Sequence, residues 1–496
     1  MNERGGLPTT GAILLGLVVA QIIASLQVYH SNVDLYRTLA AIGNAGYLVV
    51  PNAKVMAGLR GAGPAFFGGL FFTLSIGAGL SVIAIAGAWI WDRVCRRNRS
   101  AMATFLVCWV VAIAAVNSNG FALFDTLYFV AVPPAVFIFM VKRMSPQQGV
   151  KVLRWEAIHL IPIALLAVLW LPQIGKGAFL DVRDNLLFSN AIGTGLSDSY
   201  YRYTLYPAQA FKSFEQKQLK TCRLHDEEVH PVKASPIERV LLRFDYLPVG
   251  GDGPVDLDLI VEGEKLRFEH DGRFVFTKTD KEFLTSPLED LKEYSHRVDR
   301  HRFLRRATYW SLILGSPILL YLLLYGFFRR VALLLLSLRA TSILASCCCL
   351  AVGLGLLLLS FSGGAAVSSK ADIGRVLETS SWRNRVQALR AIRQQGLDVS
   401  RYPQYTAMLT SPHIPERYWL VRALAASRNR KTYDDLLHFL DDPNQNVVYV
   451  TYYVLGQRGD RRAVGEIIKR INDSERWYNQ LYAYQALRAL GWMQKK

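Results

Sequence analysis

Three aspartates lie close together in a stretch of alternating apolar and charged residues: Asp252, Asp256 and Asp258. Carboxylate oxygens are the ligands that calcium prefers, so this spacing could form a calcium site. The twelve-residue pattern of a calcium-binding loop is absent, however, and charged side chains also alternate on the solvent face of a strand. We therefore favour a solvent-exposed strand face, and we predict no metal and no cofactor.

Two further groups of residues have spacings that could support chemistry. Glu156 and His159 have the Glu-x-x-His spacing of carboxylate-bridged metal sites, but the second copy that such sites need is missing. His159 lies near the start of an apolar segment, where we favour an interfacial position over a functional one. Asp181 and Asp184 could form an acid pair, although Arg183 lies between them and no partner base is evident.

Asp34 follows the first apolar segment. That position resembles the one at which large multi-span glycosyltransferases keep an acidic residue, but those enzymes have more spans. The sequence contains no phosphate-binding loop, dinucleotide fingerprint, haem attachment motif or nucleophile elbow. We predict no catalytic residues, and we favour a role other than an enzyme.

Apolar residues are concentrated in blocks, which indicates membrane spans. Hydrophobic residues make up 51% of the 496 residues, and only 19% are charged. About 20 apolar residues form a helix that crosses the hydrocarbon core. We predict seven spans, at residues 11–28, 64–91, 101–116, 121–140, 157–171, 309–328 and within 331–361. A shorter apolar stretch, Thr38–Val50, is broken by two glycines, and we interpret it as an interfacial or re-entrant segment.

Arginine and lysine orient these spans. With the N-terminus inside, the cytoplasmic connections hold basic residues at positions 93–99, 142–154 and 329–339, whereas the outer connections hold few. Seven spans then put the C-terminus and the loop after residue 172 on the outer face. We predict an inner (plasma) membrane protein with a cytoplasmic N-terminus, whose two polar regions are extracytoplasmic.

The polar loop between the fifth and sixth spans contains alternating segments typical of strands. Arg239–Tyr246, Val255–Val261, Lys265–Glu269 and Arg273–Thr277 are separated by glycine-containing turns. Such a pattern predicts a small antiparallel sheet. The predicted organisation is a transmembrane region at 1–171, an extracytoplasmic α+β domain at 172–306, two further transmembrane helices at 307–362 and a helical domain at 371–496.

The C-terminal segment is basic and contains an internal repeat. It has 20 Lys and Arg against 12 Asp and Glu from residue 371 onward, out of a net charge of +18 for the chain. Leu389, Leu424, Leu455 and Leu487 mark helix centres about 31–35 residues apart. Turns fall at matching places, such as Asp442-Pro443. The stretch DDPNQNVVYVTYYVLGQRGDRRAVGEIIKRI and its weaker copies resemble the HEAT-like repeats of the armadillo-type superhelix. The resemblance covers about a quarter of the chain and implies an α-solenoid that presents an interaction surface.

Stacked helix pairs leave an extended concave surface, which here should be rich in tyrosine and basic residues. Aromatic residues and arginine dominate binding hot spots. The predicted binding residues are Arg417, Tyr418, Trp419, Tyr449, Tyr453, Arg476, Trp477 and Tyr478.

These features together predict a mainly α-helical membrane protein that serves as a scaffold or assembly protein. The basic solenoid favours an acidic protein partner on the outer face, beside membrane lipids and other membrane subunits. Nucleic acid is not expected, because that partner would require a cytoplasmic C-terminus. The alternative is a polytopic membrane enzyme or a transporter component that handles a lipid-linked or anionic substrate.

Overall fold

The computed structural model describes residues 7–144, 160–174, 178–226, 231–361 and 370–495. The described chain is mainly helical and contains one small mixed sheet. It divides into two compact units. The first unit comprises residues 1–41, 59–169 and 206–354, and the second comprises residues 42–58, 170–205 and 355–496. Glu156 and His159 lie outside the described residues.

Apolar helices form much of the first unit. In the described chain before residue 175, the helices of both units are α1 (Leu7–Asn44), α2 (Ala53–Met56), α3 (Ala62–Phe72), α4 (Ala78–Arg93), α5 (Arg99–Val116), α6 (Leu123–Arg143) and α7 (Leu160–Ile174). Six helical stretches of the described chain are long and apolar enough to cross a membrane: 9–44, 62–93, 99–116, 123–143, 302–333 and 340–359. A shorter apolar helix covers 160–173, which overlaps the fifth predicted span at 157–171.

Small residues let the apolar stretch 62–93 approach two others, 302–333 and 9–44, closely. A Cβ atom added to Gly315 would lie 2.6 Å from the Cα atom of Gly79, and one added to Gly77 would lie 2.5 Å from the Cβ atom of Ala20. Real Cβ atoms do not tolerate such distances, so both positions require glycine. Close backbone approach of this kind is typical of helices that pack in a membrane.

The segment Thr38–Val50, interpreted as an interfacial or re-entrant element, is not a separate helix. Its first half is the end of α1, which runs without a break through Gly43 to Asn44. Gly46 then adopts a positive φ of 86°, which ends the helical path. A glycine inside a helix costs stability but is tolerated, whereas a left-handed glycine terminates it.

The sheet domain belongs to the first unit, and its sheet is mixed and not purely antiparallel. Its strands are β1 (Lys220–Asp226), β2 (Tyr246–Pro248), β3 (Leu257–Glu262), β4 (Lys265–His270) and β5 (Arg273–Thr279), in the spatial order β2-β1-β3-β4-β5. Pairing is antiparallel from β3 to β5, but β1 pairs in parallel with β2 and β3. A parallel neighbour needs a crossover connection, and a helix between β1 and β2 supplies it.

That helix explains why the strand expected at Arg239–Tyr246 is wrong. The helices after α7 up to the sheet are α8 (Ala178–Val182), α9 (Ala191–Tyr203) and α10 (Leu205–Ala210), and the crossover is α11 (Pro231–Arg243). Ile237 and Leu241, four residues apart, are both buried on the sheet. The apolar run therefore follows the helical period and not the period of two.

Helices lead from the sheet into the last apolar segments. They are α12 (Asp280–Thr285), α13 (Pro287–Arg297), α14 (Arg302–Trp310), α15 (Ser316–Leu333) and α16 (Leu338–Phe361). Phe268 is the centre of the sheet core, where its ring stacks on Phe276 and meets Phe283 edge-on. The domain packs around this aromatic cluster.

The C-terminal part of the second unit is a series of paired helices. They are α17 (Lys370–Leu377), α18 (Trp382–Gln394), α19 (Tyr405–Met408), α20 (Ile414–Ala423), α21 (Arg430–His438), α22 (Gln445–Arg458), α23 (Ala463–Asp473) and α24 (Trp477–Ala489). Leu389, Leu424, Leu455 and Leu487, the helix centres of the sequence repeat, are all fully buried. We call residues 370–495 the repeat array. Its core consists of equivalent residues from successive copies, as the repeat predicted.

Candidate interaction site on the repeat array

An acidic pair from the chain itself binds one end of the repeat array. The Asp184 carboxylate is buried and accepts hydrogen bonds from Trp419 Nε1 at 2.8 Å and from an Arg390 guanidinium nitrogen at 2.9 Å. Arg390 also donates to Asp181 at 2.5 Å, so one guanidinium bridges both acids. Arg183, which lies between them in sequence, donates to Asp184 at 2.7 Å. The acid pair therefore attaches this part of the chain to the repeat array.

Arg183 extends this contact onto the tyrosines of the array. Its guanidinium carbon lies 4.2 Å from the centre of the Tyr418 ring, in cation–π geometry. Burial lowers the pKa of Arg183, but Asp184, Tyr418 and Tyr449 outweigh it, and the pKa stays above its ordinary value. Burial raises the pKa of Tyr418, and the nearby Arg183 and Arg422 bring it below its ordinary value. The charge of Arg183 therefore interacts with both the Asp184 carboxylate and the Tyr418 hydroxyl group.

Helix α9 supplies a second set of contacts with the repeat array. The Asp198 carboxylate accepts from Gln445 Nε2 at 2.8 Å and pairs with Arg476 at 3.1 Å. The Tyr201 ring lies 4.7 Å from the Tyr478 ring and 6.0 Å from the Tyr449 ring, measured between centroids. We call residues 178–203 the docking segment. It contacts α18, α20, α22 and α24, which belong to successive repeats.

Five of the eight predicted binding residues contact this docking segment. They are Tyr418, Trp419, Tyr449, Arg476 and Tyr478. The partner was predicted to be acidic, and the docking segment presents carboxylates to the array, those of Asp181, Asp184 and Asp198. Within the second unit, much of the predicted surface is therefore occupied by the chain's own residues.

The other three predicted residues have different surroundings. Arg417 is buried and donates to both carboxylate oxygens of Asp442, at 2.6 and 3.1 Å, and to the Ser411 carbonyl at 2.5 Å. It links successive repeats and does not offer an open contact. Trp477 is buried in the array. Tyr453 is 42% exposed, and its hydroxyl accepts from Gln457.

A second segment of the chain closes the other end of the array. Asn52 Nδ2 donates to three backbone oxygens at the end of α23, those of Ile471, Asn472 and Ser474, at 2.8–2.9 Å. The last carbonyls of a helix have no partner within the helix, so the Asn52 amide satisfies them. The Asn52 backbone N–H donates to Gln480 at 2.7 Å.

The connection before Asn52 joins the same end of the array through a pair of hydrogen bonds. Leu48 exchanges them with the side-chain amide of Gln494, at 3.0 and 2.9 Å. The Lys54 ammonium group also donates to the Asp473 carbonyl. The second half of the segment Thr38–Val50 thus begins a connection that is bound to the last repeat.

The acidic cluster near residue 255 has cationic neighbours. The Asp256 carboxylate accepts from Lys217 Nζ and from the Thr221 backbone N–H, both at 2.9 Å. Asp258 pairs with Arg223 at 3.4 Å. Asp252 is exposed in the glycine-rich connection. Among the described residues, no group of three or more His, Cys, Asp or Glu side chains could hold a metal ion.

Asp34 lies near the end of α1 and is about half exposed. It pairs with His30 at 3.1 Å and with Arg37 at 3.2 Å, both on its own helix. Such i,i+3 and i,i+4 pairs are typical of a solvated helix surface. Its contacts are therefore those of a helix surface.

A buried polar cluster among the apolar helices was missed by sequence reasoning. Asp125, in the first turn of α6, is buried, and its Oδ2 lies 2.9 Å from Nδ1 of His301, just before α14. Its Oδ1 accepts from Gln27 Nε2 at 3.4 Å, and Gln27 accepts from the Tyr128 hydroxyl at 3.0 Å. The only signal was a set of polar residues within apolar segments. Nothing in the sequence relates positions that lie 176 residues apart.

The comparisons with known proteins identify the C-terminal part of the chain. The family model of HEAT repeats matches residues 402–488, which is the region from α19 to α24. No curated protein and no solved structure matches the chain. The repeat array therefore carries HEAT repeats, the family that its sequence resembles.

Proposed function

We propose that this protein is a membrane-anchored scaffold whose HEAT-repeat array is held by two segments of its own chain and binds an acidic protein on the outer face. HEAT repeats generally mediate protein–protein binding. The observation that carries the proposal is the docking segment. The array already binds carboxylates and tyrosines from residues 178–203, which defines the chemistry that its surface recognises.

The membrane part of the proposal is supported by apolar side chains that face outward. On α5, the residues Leu106, Val107, Val110 and Val111 are all at least half exposed. Soluble proteins rarely expose contiguous apolar patches of this kind. A bilayer is the environment in which such a helix surface is stable.

The composition of the second unit supports an even number of membrane crossings between residues 58 and 170. Three long apolar stretches, 62–93, 99–116 and 123–143, separate residues 42–58 from residues 170–205. Three crossings would leave these segments on opposite faces, yet both bind the same array. A fourth crossing is needed, and α7 is the apolar helix that the described residues of this interval provide. The stretches at 302–333 and 340–359 then return the chain to the same face.

Contacts within the first unit agree with this number of crossings, because each joins two connections that it places on the same side of the membrane. The Arg97 guanidinium, after the second crossing, donates to the Met144 carbonyl, after the fourth. The Asn119 amide, after the third, donates to the Asp299 carbonyl, before the sixth. The basic connections around Arg97 and Arg330 mark the cytoplasmic side. The docking segment and the array are then extracytoplasmic.

An exposed basic edge of the array is the surface that we assign to the partner. Arg428, Arg430 and Lys431 are exposed at the start of α21. The turn after α22 is adjacent, because Arg458 donates to the Thr432 hydroxyl at 3.1 Å, and it adds the exposed Arg461. We call these four exposed residues the basic edge. These four basic residues outnumber the neighbouring carboxylates of Asp434 and Asp460. An excess of charge of one sign favours a partner of the other sign.

Site-specific photo-crosslinking in native membranes tests the scaffold role. A photoreactive amino acid at Lys431 is expected to give one discrete protein adduct. The adduct should disappear when Arg428, Arg430 and Arg461 are replaced by glutamate. The exposed Gln485 on α24 is the matched control position and should give none. A failure to form an adduct at Lys431, or an adduct that survives the charge reversal, would contradict the proposal.

The Asp125–His301 pair favours a second candidate function, a membrane enzyme or transporter component. A buried carboxylate that accepts from Nδ1–H leaves Nε2 as a free acceptor that can carry a proton. Asn32, five residues beyond Gln27 on α1, is also buried, and its amide has no partner among the described residues. Buried polar groups among apolar helices mark pathways for polar substrates or protons.

The substitution His301→Asn separates the two functions. Asparagine can still donate to Asp125 but cannot exchange a proton. Complementation of a deletion strain by the variant is the measurement. A protein that handles substrate or protons loses activity, whereas a scaffold retains it and keeps the adduct at Lys431.

A further inference from the structure

The docking segment has a second face that no other described residue covers. On α9, Ile192, Leu196 and Tyr200 are 79%, 62% and 56% exposed. Their spacing of four residues aligns them along one side of the helix. Phe179 and Leu186, on the preceding turns, are exposed as well. Two consecutive helical pieces thus expose large apolar side chains.

The opposite face of α9 is fixed to the array, so the helix cannot turn its apolar face inward. Asp198 is held by Gln445 and Arg476, and Tyr201 is held by Tyr478. The exposed side chains point away from those contacts because they lie about half a helical turn from them. Their exposure is therefore a consequence of docking.

The docking segment begins close to the end of an apolar helix. Helix α7 ends at Ile174, and α8 begins at Ala178. Four peptide steps reach at most about 14 Å in a fully extended chain. Wherever the end of α7 meets the bilayer surface, Ala178 therefore lies within about 14 Å of it.

We propose that the docking segment lies on the outer surface of the lipid bilayer, with Ile192, Leu196 and Tyr200 inserted between the headgroups and the acyl chains. This inference rests on the proposed membrane insertion of the apolar helices. An amphipathic helix binds an interface through such an apolar face, and tyrosine is favoured at the level of the headgroups. The polar face, which in a free interfacial helix meets water, here meets the array.

Charge neutralisation makes this position compatible with an anionic membrane surface. The carboxylates of Asp181, Asp184 and Asp198 are each paired with an arginine, at 2.5–3.1 Å. They consequently do not present free negative charge to the headgroups. The docking segment would act as an adaptor, with lipid on one side and HEAT repeats on the other.

Spin labels in the full-length protein, reconstituted in nanodiscs of phosphatidylethanolamine and phosphatidylglycerol, test the inference. A single cysteine is introduced by Leu196→Cys, Val168→Cys or Gln457→Cys in a chain whose accessible native cysteines are alanine. Those native residues are Cys95, Cys108, Cys347 and Cys348. Collision of the label with oxygen, which concentrates in lipid, is compared with collision with a water-soluble nickel chelate.

We expect the label at residue 168 on α7 to favour oxygen strongly, the label at residue 196 to favour it moderately, and the label at residue 457 to favour the chelate. A label at 196 as accessible to the chelate as the one at 457 overturns this inference but leaves membrane insertion intact. A label at 196 shielded from both reagents also overturns it, because a protein surface then covers the helix. If the label at 168 favours the chelate, the proposed membrane insertion itself fails.

Discussion

The Asp184 carboxylate accepts a hydrogen bond of 2.8 Å from the indole N–H of Trp419, a residue 235 positions later in the chain. Both groups are buried, and Arg183 and Arg390 complete the surroundings of the carboxylate. A buried carboxylate is costly unless it is paired and hydrogen-bonded. This contact therefore holds the docking segment on the array, and it decides which part of the array's surface remains open to a partner.

Replacing Asp184 by asparagine should release the docking segment. The variant keeps the shape of the side chain but leaves Arg183 and Arg390 without its charge, at a cost of about 3 kcal/mol. Hydrogen exchange of the amides in residues 178–203 should then be about 100-fold faster. The matched variant Asp434→Asn removes an exposed carboxylate of the array and should leave this exchange unchanged. Equal protection in the two variants would show that Asp184 does not hold the segment.

Replacing Asn52 by aspartate should detach residues 48–56 from the last repeat. The amide donates to three carbonyl oxygens, and a carboxylate at the same place would repel them. We expect a local loss of about 2 kcal/mol, seen as faster hydrogen exchange in residues 48–56. Asn429→Asp is the control, because Asn429 caps α21 as an acceptor and aspartate serves equally there. A neutral effect of Asn52→Asp would contradict this interpretation.

Replacing Arg417 by methionine should destabilise the array itself. Asp442 would remain buried without its partner, and such losses cost about 3–5 kcal/mol. The temperature at which α20 and α22 lose hydrogen-exchange protection should fall. The exposed pair of Arg462 and Asp460 gives the control Arg462→Met, which should leave that temperature unchanged. If both variants melt alike, Arg417 does not link the repeats.

The Asp256 contact predicts an acid-dependent change in the sheet domain. Burial raises the pKa of Asp256, but Lys217 and Thr221 outweigh it and hold that pKa below the ordinary value of 3.8. The resulting stabilisation is fully present above the ordinary pKa and is lost as the pH falls through the lower folded value. Asp256→Asn should therefore weaken protection of β1 and β3 at pH 7, by about 1–3 kcal/mol.

The difference between the wild type and Asp256→Asn should begin to narrow as the pH falls below the ordinary pKa of 3.8. The unfolded wild type then takes up a proton at this carboxylate, and the folded wild type does so at lower pH. The exposed Asp252 provides the control variant Asp252→Asn, which should match the wild type throughout. A difference that stays constant down to pH 2 would contradict the assigned contact.

The repeats were predictable because their signal is local. Leu455 is flanked by residues that repeat in register at Leu424 and Leu487, and each copy folds on its nearest neighbour. The apolar helices were predictable for a similar reason, since length and composition are properties of a single segment. The prediction of a strand at Arg239–Tyr246 was wrong because a short apolar run fits both the helical period of 3.6 residues and the strand period of two.

The docking segment was not predictable from the same information. Asp181 and Asp184 were visible as an acid pair, and Trp419 as a surface aromatic, but no local pattern relates residues more than 200 positions apart. The basic excess of the array predicted an acidic partner, which stays a prediction. The structure shows that carboxylates of the chain itself, those of Asp181, Asp184 and Asp198, occupy part of the array's surface. The Asp125–His301 pair escaped for the same reason.

Accessibility of introduced cysteines from the two sides of the membrane tests the central claim most directly. In intact spheroplasts of the cysteine-depleted chain, Gln457→Cys in the array and Gly253→Cys in the sheet domain are treated with a membrane-impermeant thiol reagent. Ser337→Cys, between α15 and α16, marks the connection that the proposal places on the cytoplasmic side. We predict that the first two react at once and that the third reacts only after permeabilisation. Reaction of Ser337→Cys alone in intact spheroplasts would contradict the proposed orientation. If only one of Gln457→Cys and Gly253→Cys reacts, the array and the sheet domain lie on opposite sides of the membrane, and the number of crossings on which the scaffold proposal depends is wrong.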